Sequence, residues 1–184
     1  MSILTRKLLV TLPQETYSKF RLMGSFIEAN YLYHMASKGG NILEVGTGPG
    51  KSALLMAQAL KDFGVDGKVY TIGWESDQQD YANVWKRLRR YPELIDSIHH
   101  ESRKSEEVHQ NYPDLAFPFV YIDGDHSYEG VVKDIINYKS KVAPGGVIAF
   151  HDTNKEEVAR AISEYLGWEL CAEVHRIKGY RCGS

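Results

Sequence analysis

The sequence predicts an α/β fold: a doubly wound, mainly parallel sheet of seven strands finished by an antiparallel C-terminal hairpin. Three observations carry that prediction. Short apolar runs at 41–45, 68–73, 95–100, 118–122 and 146–151 alternate with segments of helical period. Charged clusters follow the carboxyl ends of these runs, at Glu44, Glu75, Asp123 to His126 and His151-Asp152, where open parallel sheets bind their ligands. The segment WELCAEVHRIKGYRCG has strand composition around a turn near 176–179, which supplies the last two strands.

The first strand, Ile42 to Val45, leads into NILEVGTGPGKS and then into the helical run KSALLMAQALKDF. Gly46, Gly48 and Gly50 alternate with Thr47 and Pro49, so the backbone turns sharply and a ligand approaches without meeting Cβ atoms. Free N–H groups at the helix start face whatever lies over the glycines. A phosphate loop of the form G-x-x-x-x-G-K-[ST], and with it a nucleotide hydrolase, is disfavoured, because Gly50-Lys51-Ser52 would need glycine where Val45 stands. A dinucleotide G-x-G-x-x-G is excluded by Lys51 at its third glycine. What remains is E-x-G-x-G-x-G, with Glu44 at the strand end.

Composition fits one soluble enzyme domain over 1–184, with 1–40 as an N-terminal helical cap segment. The formal net charge is −2 with both signs interleaved, which argues against a nucleic-acid surface. Cys171 and Cys182 lack metal-ligand spacing and read as free thiols of a reducing compartment, although a hairpin could bring them face to face. No apolar run reaches membrane-spanning length, and MSILTRKLLVTLP is too short and polar for a signal peptide, so a cytoplasmic location is expected.

Before the first strand, Gln14 to Ser37 reads as helix, with Phe20, Met23, Phe26, Ile27, Tyr31, Leu32 and Met35 near one stripe and Gly39-Gly40 as its stop. Glu28 and Tyr31 on it are the residues placed to reach a pocket. After the second strand comes Trp74-Glu75-Ser76-Asp77. Glu75 stands twenty-five residues beyond Gly50, where a carboxylate accepts from both ribose hydroxyls of an adenosine cofactor. Asp77 reads better as the cap of the next helix. A third strand at 95–100 is followed by Arg103, Lys104 and Ser105. The fourth strand ends in Asp123-Gly124-Asp125-His126, a poor way to build a core and a good way to build a site, with Ser127 as a helix cap. The fifth follows Pro144-Gly145-Gly146 and ends in His151-Asp152-Thr153.

The glycine motif, DGDH and the PGG…HD pair together resemble the class I S-adenosylmethionine-dependent methyltransferases. The likeness is to the small-molecule branch related to macrolide-sugar O-methyltransferases and cephalosporin hydroxylase, over roughly residues 15–155. The resemblance implies a Rossmann-like fold and a bound S-adenosyl-L-methionine. Its cofactor contacts would be Glu44, Gly46, Thr47, Gly48, Gly50, Ser52, Glu75, Ser105 and Asp123, with Glu44 near the ammonium group and the loop of Arg103, Lys104 and Ser105 near the adenine. It implies methyl transfer to an oxygen of a small-molecule acceptor, with Asp123 and His126 catalytic and His126 the base. Asp123 and Asp152 match two carboxylates that bind Mg2+ or another divalent cation in such enzymes, and a hard cation would relieve their mutual repulsion. The third ligand expected beside Asp152 is replaced by His151 and Thr153. A second copy of the chain is an admissible partner; nucleic acid and membrane are not expected. The alternatives are a non-catalytic S-adenosylmethionine-binding partner subunit, or a metal-dependent oxygenase on the same fold.

Overall fold

The computed structural model describes residues 11–20, 25–74 and 78–183. Its strands are β1 (Ile42–Val45), β2 (Val69–Gly73), β3 (Ile98–Ser102), β4 (Phe117–Ile122), β5 (Val142–Phe150), β6 (Glu169–Val174) and β7 (Ile177–Arg181). They form one seven-stranded sheet in the order β3-β2-β1-β4-β5-β7-β6. All neighbours run parallel except β7, which pairs antiparallel with β5 and β6. The chain winds outward from β1 to β3, then returns to lay β4 against the other side of β1. That reversal opens a crevice at the carboxyl ends of β1 and β4.

Side chains alternate across the sheet and feed two cores. On one face Ile42, Phe119, Tyr121, Val147 and Ala149 pack with α2 (Phe26–Ala36) and α3 (Lys51–Asp62), joined by α1 (Gln14–Phe20), α4 (Gln78–Leu88) and α5 (Pro92–Ile95). On the other, Leu43, Val45, Val120, Ile122, Ile148 and Phe150 pack with α7 (Tyr128–Tyr138) and α8 (Glu156–Tyr165), and α6 (Ser105–Val108) adds Val108. Cys171 packs toward the first core and Cys182 toward the second, so the sheet separates the two free thiols.

The expected strands and helices are present, with three shifts. The helix expected over 14–37 is described as α1 and α2, and Met23 of its stripe lies outside the described residues. α2 starts at a capping box: Ser25 Oγ accepts from the Glu28 N–H, and Glu28 accepts from the Ser25 N–H. The S-x-x-E spacing at 25–28 is the sequence signature of that start. The third strand begins at Ile98 rather than Ile95, because Pro92 opens the short helix α5 that takes up Ile95. β5 begins earlier than expected, at Val142, and carries the PGG segment within it. Gly39, at φ +80, ends the N-terminal helix as anticipated, and Ser127 caps α7 by accepting from the Gly130 N–H.

At the crevice Gly46 has φ +105, and a Cβ built on it would lie 2.0 Å from the Asp123 carbonyl oxygen. Neither backbone can retreat: Asp123 N–H donates to the Val45 carbonyl at 2.7 Å, and Gly46 N–H to that of Ile72 at 2.8 Å. Gly46→Ala is therefore expected to cost about 3 kcal/mol or more, adding left-handed strain to overpacking. Gly48, whose Cβ position meets nothing within 4 Å, bears only the strain of φ +46. Gly48→Ala should cost about 1 kcal/mol. Paired denaturant titrations would measure both; equal losses would contradict this division of labour.

Candidate active site

Two cavities flank the glycine turn, and Asp123 lines both. The first, of about 310 Å³, lies beyond β1 and β2 and is walled by Gly46, Gly73, Trp74, Ser105, Asp123 and Asp134. The second, of about 400 Å³, lies toward α2 and β5 and includes Glu28, Ser52, Tyr121, His151, Asp152 and Arg176. A larger hollow of about 840 Å³ runs along the edge strand β3 beside Tyr70, His99 and Tyr112, away from the glycine turn.

The three glycines do different work. Gly46 lets β1 approach β4, and Gly50, at φ +75, is the left-handed N-cap of α3. Gly48 alone leaves open space above it, which is the property a cofactor cradle needs. Glu44 is fully buried and lines neither cavity. Its Oε2 accepts from Thr71 Oγ1 at 2.6 Å, and Thr71 and Thr47 share a hydroxyl–hydroxyl bond of 2.8 Å. Burial pushes its pKa up to about 7 against the pull of Ser52 and Thr71. In this structure the strand-end acid, expected near an ammonium group, anchors the glycine turn from beneath through Thr71 and Thr47. Ser105 lines the first cavity, as the first residue of α6 after β3. Glu75 and Asp77 lie outside the described residues.

The second cavity gathers an acid–base cluster from four parts of the chain. Asp123 follows β4, His151 and Asp152 follow β5, Glu28 comes from α2, and Arg176 sits in the two-residue turn between β6 and β7. His151 Nδ1 lies 3.2 Å from Asp123 Oδ1 and 3.3 Å from Asp152 Oδ1, and its Nε2 lies 3.6 Å from Glu28 Oε1. His126 Nε2 lies 3.4 Å from Asp123 Oδ1 and 3.2 Å from Asp152 Oδ2. His126 thus reaches the two carboxylates, but His151 is the histidine that lines the cavity. Arg176 Nε donates to Glu28 Oε1 at 3.0 Å, and its Nη1 donates to Asp152 Oδ1 at 3.0 Å. Lys155 Nζ closes on Asp152 Oδ2 at 2.7 Å.

Burial raises the cost of charging each acid here, and the neighbouring donors more than offset it. Glu28 is pulled down to about 2 by Arg176, the Ser25 N–H and His175. Asp123 and Asp152 are also held below the usual carboxylate range, Asp123 by His126 and His151, Asp152 by Lys155 and His151. Burial disfavours the His151 imidazolium, yet Asp123, Asp152 and Glu28 raise its pKa. Asp152 at φ +52 and His175 at φ +55 adopt left-handed backbone without being glycine. Such strain collects at sites that the surrounding structure over-determines. Here the Thr153 N–H and hydroxyl both bond the Arg176 carbonyl, tying the hairpin turn to the end of β5.

A family model described as a methyltransferase domain matches residues 43–153, from within β1 to just past Asp152. The chain belongs to this methyltransferase domain family. Among curated proteins it is similar to y4gI of Sinorhizobium fredii, 25% identical over 153 residues; the match takes in 80% of this chain and 16% of that protein. Among solved structures, the fold is shared with the O-methyltransferase TomG of Streptomyces achromogenes, in complex with SAM (TM-score 0.66, 14% identity, 92% of this chain and 87% of that one). It is likewise shared with SAH-bound PaMTH1 of Podospora anserina (0.70, 13%, 94% and 89%) and with a Bacillus cereus O-methyltransferase in complex with SAH (0.67, 15%, 94% and 93%). At these identities the likeness establishes the methyltransferase fold. No helix among the described residues is long and apolar enough to cross a membrane.

Arg176, Lys155 and Asp134 were not singled out by the sequence. Lys155 follows Asp152 at i+3, a weak signal, whereas Arg176 is brought in by the register of the hairpin and carries no local mark. Glu28 tests the methyltransferase cluster, because its depressed pKa makes it a stabilising group above its unfolded value near 4.5. That contribution is lost as pH falls toward 2. Glu28→Gln is expected to lower stability at pH 7 by about 2 kcal/mol, the range for hydrogen bonds to a charged group. It should also shrink the acid-induced loss of stability between about pH 4.5 and 2. Unfolding titrations across that window would show it, and parallel wild-type and mutant curves would contradict it.

Proposed function

We propose that this chain transfers the methyl group of S-adenosylmethionine to a hydroxyl oxygen of a small-molecule acceptor. The observation that carries this reading is the meeting of the two cavities at Asp123, with the open side of Gly48 beside them. A nucleoside fits the first cavity, the glycine turn receives the amino-acid part, and an acceptor enters the second. S-adenosylmethionine, when bound, supplies an electrophilic methyl carbon and leaves as S-adenosylhomocysteine.

The protein's part is alignment and proton removal. The acceptor hydroxyl lies in the second cavity against Tyr121, His151 and Arg176. With the Nδ1 proton shared with Asp123 and Asp152, Nε2 of His151, which has Glu28 Oε1 at 3.6 Å, is the base that takes the hydroxyl proton as the oxygen attacks. The orienting carboxylate raises its basicity. His126, expected from the sequence as the base, shares Asp123 Oδ1 with His151 and lies against Asp152 Oδ2, and it is better read as the positioning partner of the two carboxylates.

The magnesium ion expected on Asp123 and Asp152 does not fit the residues around it. Asp152 has an oxygen on Lys155 and the other on Arg176. The donor atoms that converge are instead Asp123 Oδ1, His126 Nε2 and His151 Nδ1. Two imidazoles and one carboxylate suit a cation of the zinc or iron class, whereas magnesium calls for oxygen ligands.

S-adenosylhomocysteine is expected to raise the melting temperature by linkage, and Gly48→Val to abolish that shift while the protein stays folded. A shift with ATP and none with S-adenosylhomocysteine would overturn the reading. With an acceptor found by screening phenols, sugars and hydroxy acids, His151→Asn is expected to slow turnover by about 10²–10⁴-fold. His126→Asn should cost less, and the reverse ranking in single-turnover rates would return the base to His126.

A further inference from the structure

Asp134 is used by none of the chemistry above. It projects from α7 and is 3% exposed, yet it lines the first cavity. Its Oδ1 accepts from Ser105 Oγ at 2.8 Å. Among the described residues Oδ2 has no donor, and no lysine, arginine or histidine lies within ion-pair distance of the carboxylate. Oδ2 lies beside Gly124, close enough that a Cβ there would come within 3.3 Å of it. Ser105 is held twice by α7, since Tyr138 Oη also donates to its carbonyl at 2.7 Å. Trp74, which is exposed and has Lys104 Nζ over its ring at 5.4 Å, lines the same cavity.

A carboxylate this buried, with one neutral donor, is costly to ionise, and burial pushes its pKa up to about 7. A core position would select against such a group. A ligand that brings N–H donors to Oδ2 would remove the cost.

We infer that Asp134 reads the amino edge of the cofactor's purine, accepting from the exocyclic amine of adenine and rejecting a purine that carries an oxo group there. The inference rests on the reading of the first cavity as a nucleoside site. It makes Asp134 a specificity residue set on a rigid helix. An oxo oxygen opposite an ionised carboxylate would place two acceptors together with no proton between them, and a buried acceptor left unpaired is strongly rejected.

The test is titration calorimetry at pH 8.5 with S-adenosylhomocysteine and with its deaminated analogue, S-inosylhomocysteine. Wild-type protein is expected to prefer the adenosyl compound by about 10–100-fold, the range for a hydrogen bond to a charged group. In Asp134→Asn the amide can turn an N–H toward the oxo group, so the preference should fall to near equality. Asp134→Ala, read in parallel in case the asparagine variant folds poorly, should also lose the preference while weakening adenosyl binding. Ser105→Ala, which keeps Oδ2, should retain it. If Asp134 only anchors the loop after β3, all three variants would weaken both compounds alike and the ratio would stay at its wild-type value. That outcome overturns the inference, as does equal binding of the two compounds by wild type. Binding of neither compound by wild type would overturn the nucleoside reading itself, and this inference with it.

Discussion

The contact on which the structure depends is the backbone approach of β1 to β4, at Gly46 and Asp123. Parallel strands diverge where the winding reverses, and here the divergence is narrowed until only a glycine fits. Hydrogen bonds from Asp123 to Val45 and from Gly46 to Ile72 hold the narrowing in place. The gap beyond it is therefore divided into two cavities that share a wall, and the shared wall is the Asp123 side chain. Among the described residues, the glycine turn and the acid–histidine cluster already stand beside these two cavities. The turn itself is braced from below by the Glu44–Thr71–Thr47 chain, so its position does not depend on the ligand.

Bringing Glu28, Asp123 and Asp152 into one cavity concentrates negative charge, and the chain answers it from its own C-terminal hairpin. Arg176 bridges Glu28 and Asp152, Lys155 takes the other oxygen of Asp152, and the two histidines fill the space between the carboxylates. The last two strands, which topologically only finish the sheet, thus position a cation over the site. Glu28 has a matching double role: its carboxylate completes the capping box that starts α2 and receives Arg176 and His175. Helix start and cavity wall are one interaction. The seating of the N-terminal helix and the electrostatics of the cluster are consequently coupled through a single side chain.

Much of this was legible in the sequence because it follows from local pattern. Strand and helix periods, alternating glycines and acids at strand ends are short-range signals, and they located the sheet, the turn and Asp123. What local pattern does not carry follows from long-range geometry. His126 is the histidine the motif offers as base, three residues from Asp123, whereas which histidine lines the cavity depends on the register of β5 against β4, which the motif does not encode. Arg176 is invisible until the hairpin is laid against β5. Asp134 sits on an amphipathic helix whose period accounts for its apolar neighbours, and nothing local shows that this polar position turns inward. Glu44 was placed correctly at the strand end, but its complete enclosure is a product of packing on both faces of the sheet.

The carboxylates of the crevice fall into two groups, and the division separates the two cavities. Glu28, Asp123 and Asp152 are held ionised by donors that the chain provides. Asp134, in the other cavity, is pushed up to about 7 by burial, which the Ser105 hydroxyl only partly offsets. An acid neutralised from within gains little from a ligand's donors and is free to orient a proton acceptor. One left short of donors gains most from a ligand that brings them. The same side chain type therefore stands in two electrostatic settings on the two sides of Asp123, and what distinguishes them is whether the fold has already supplied the positive charge.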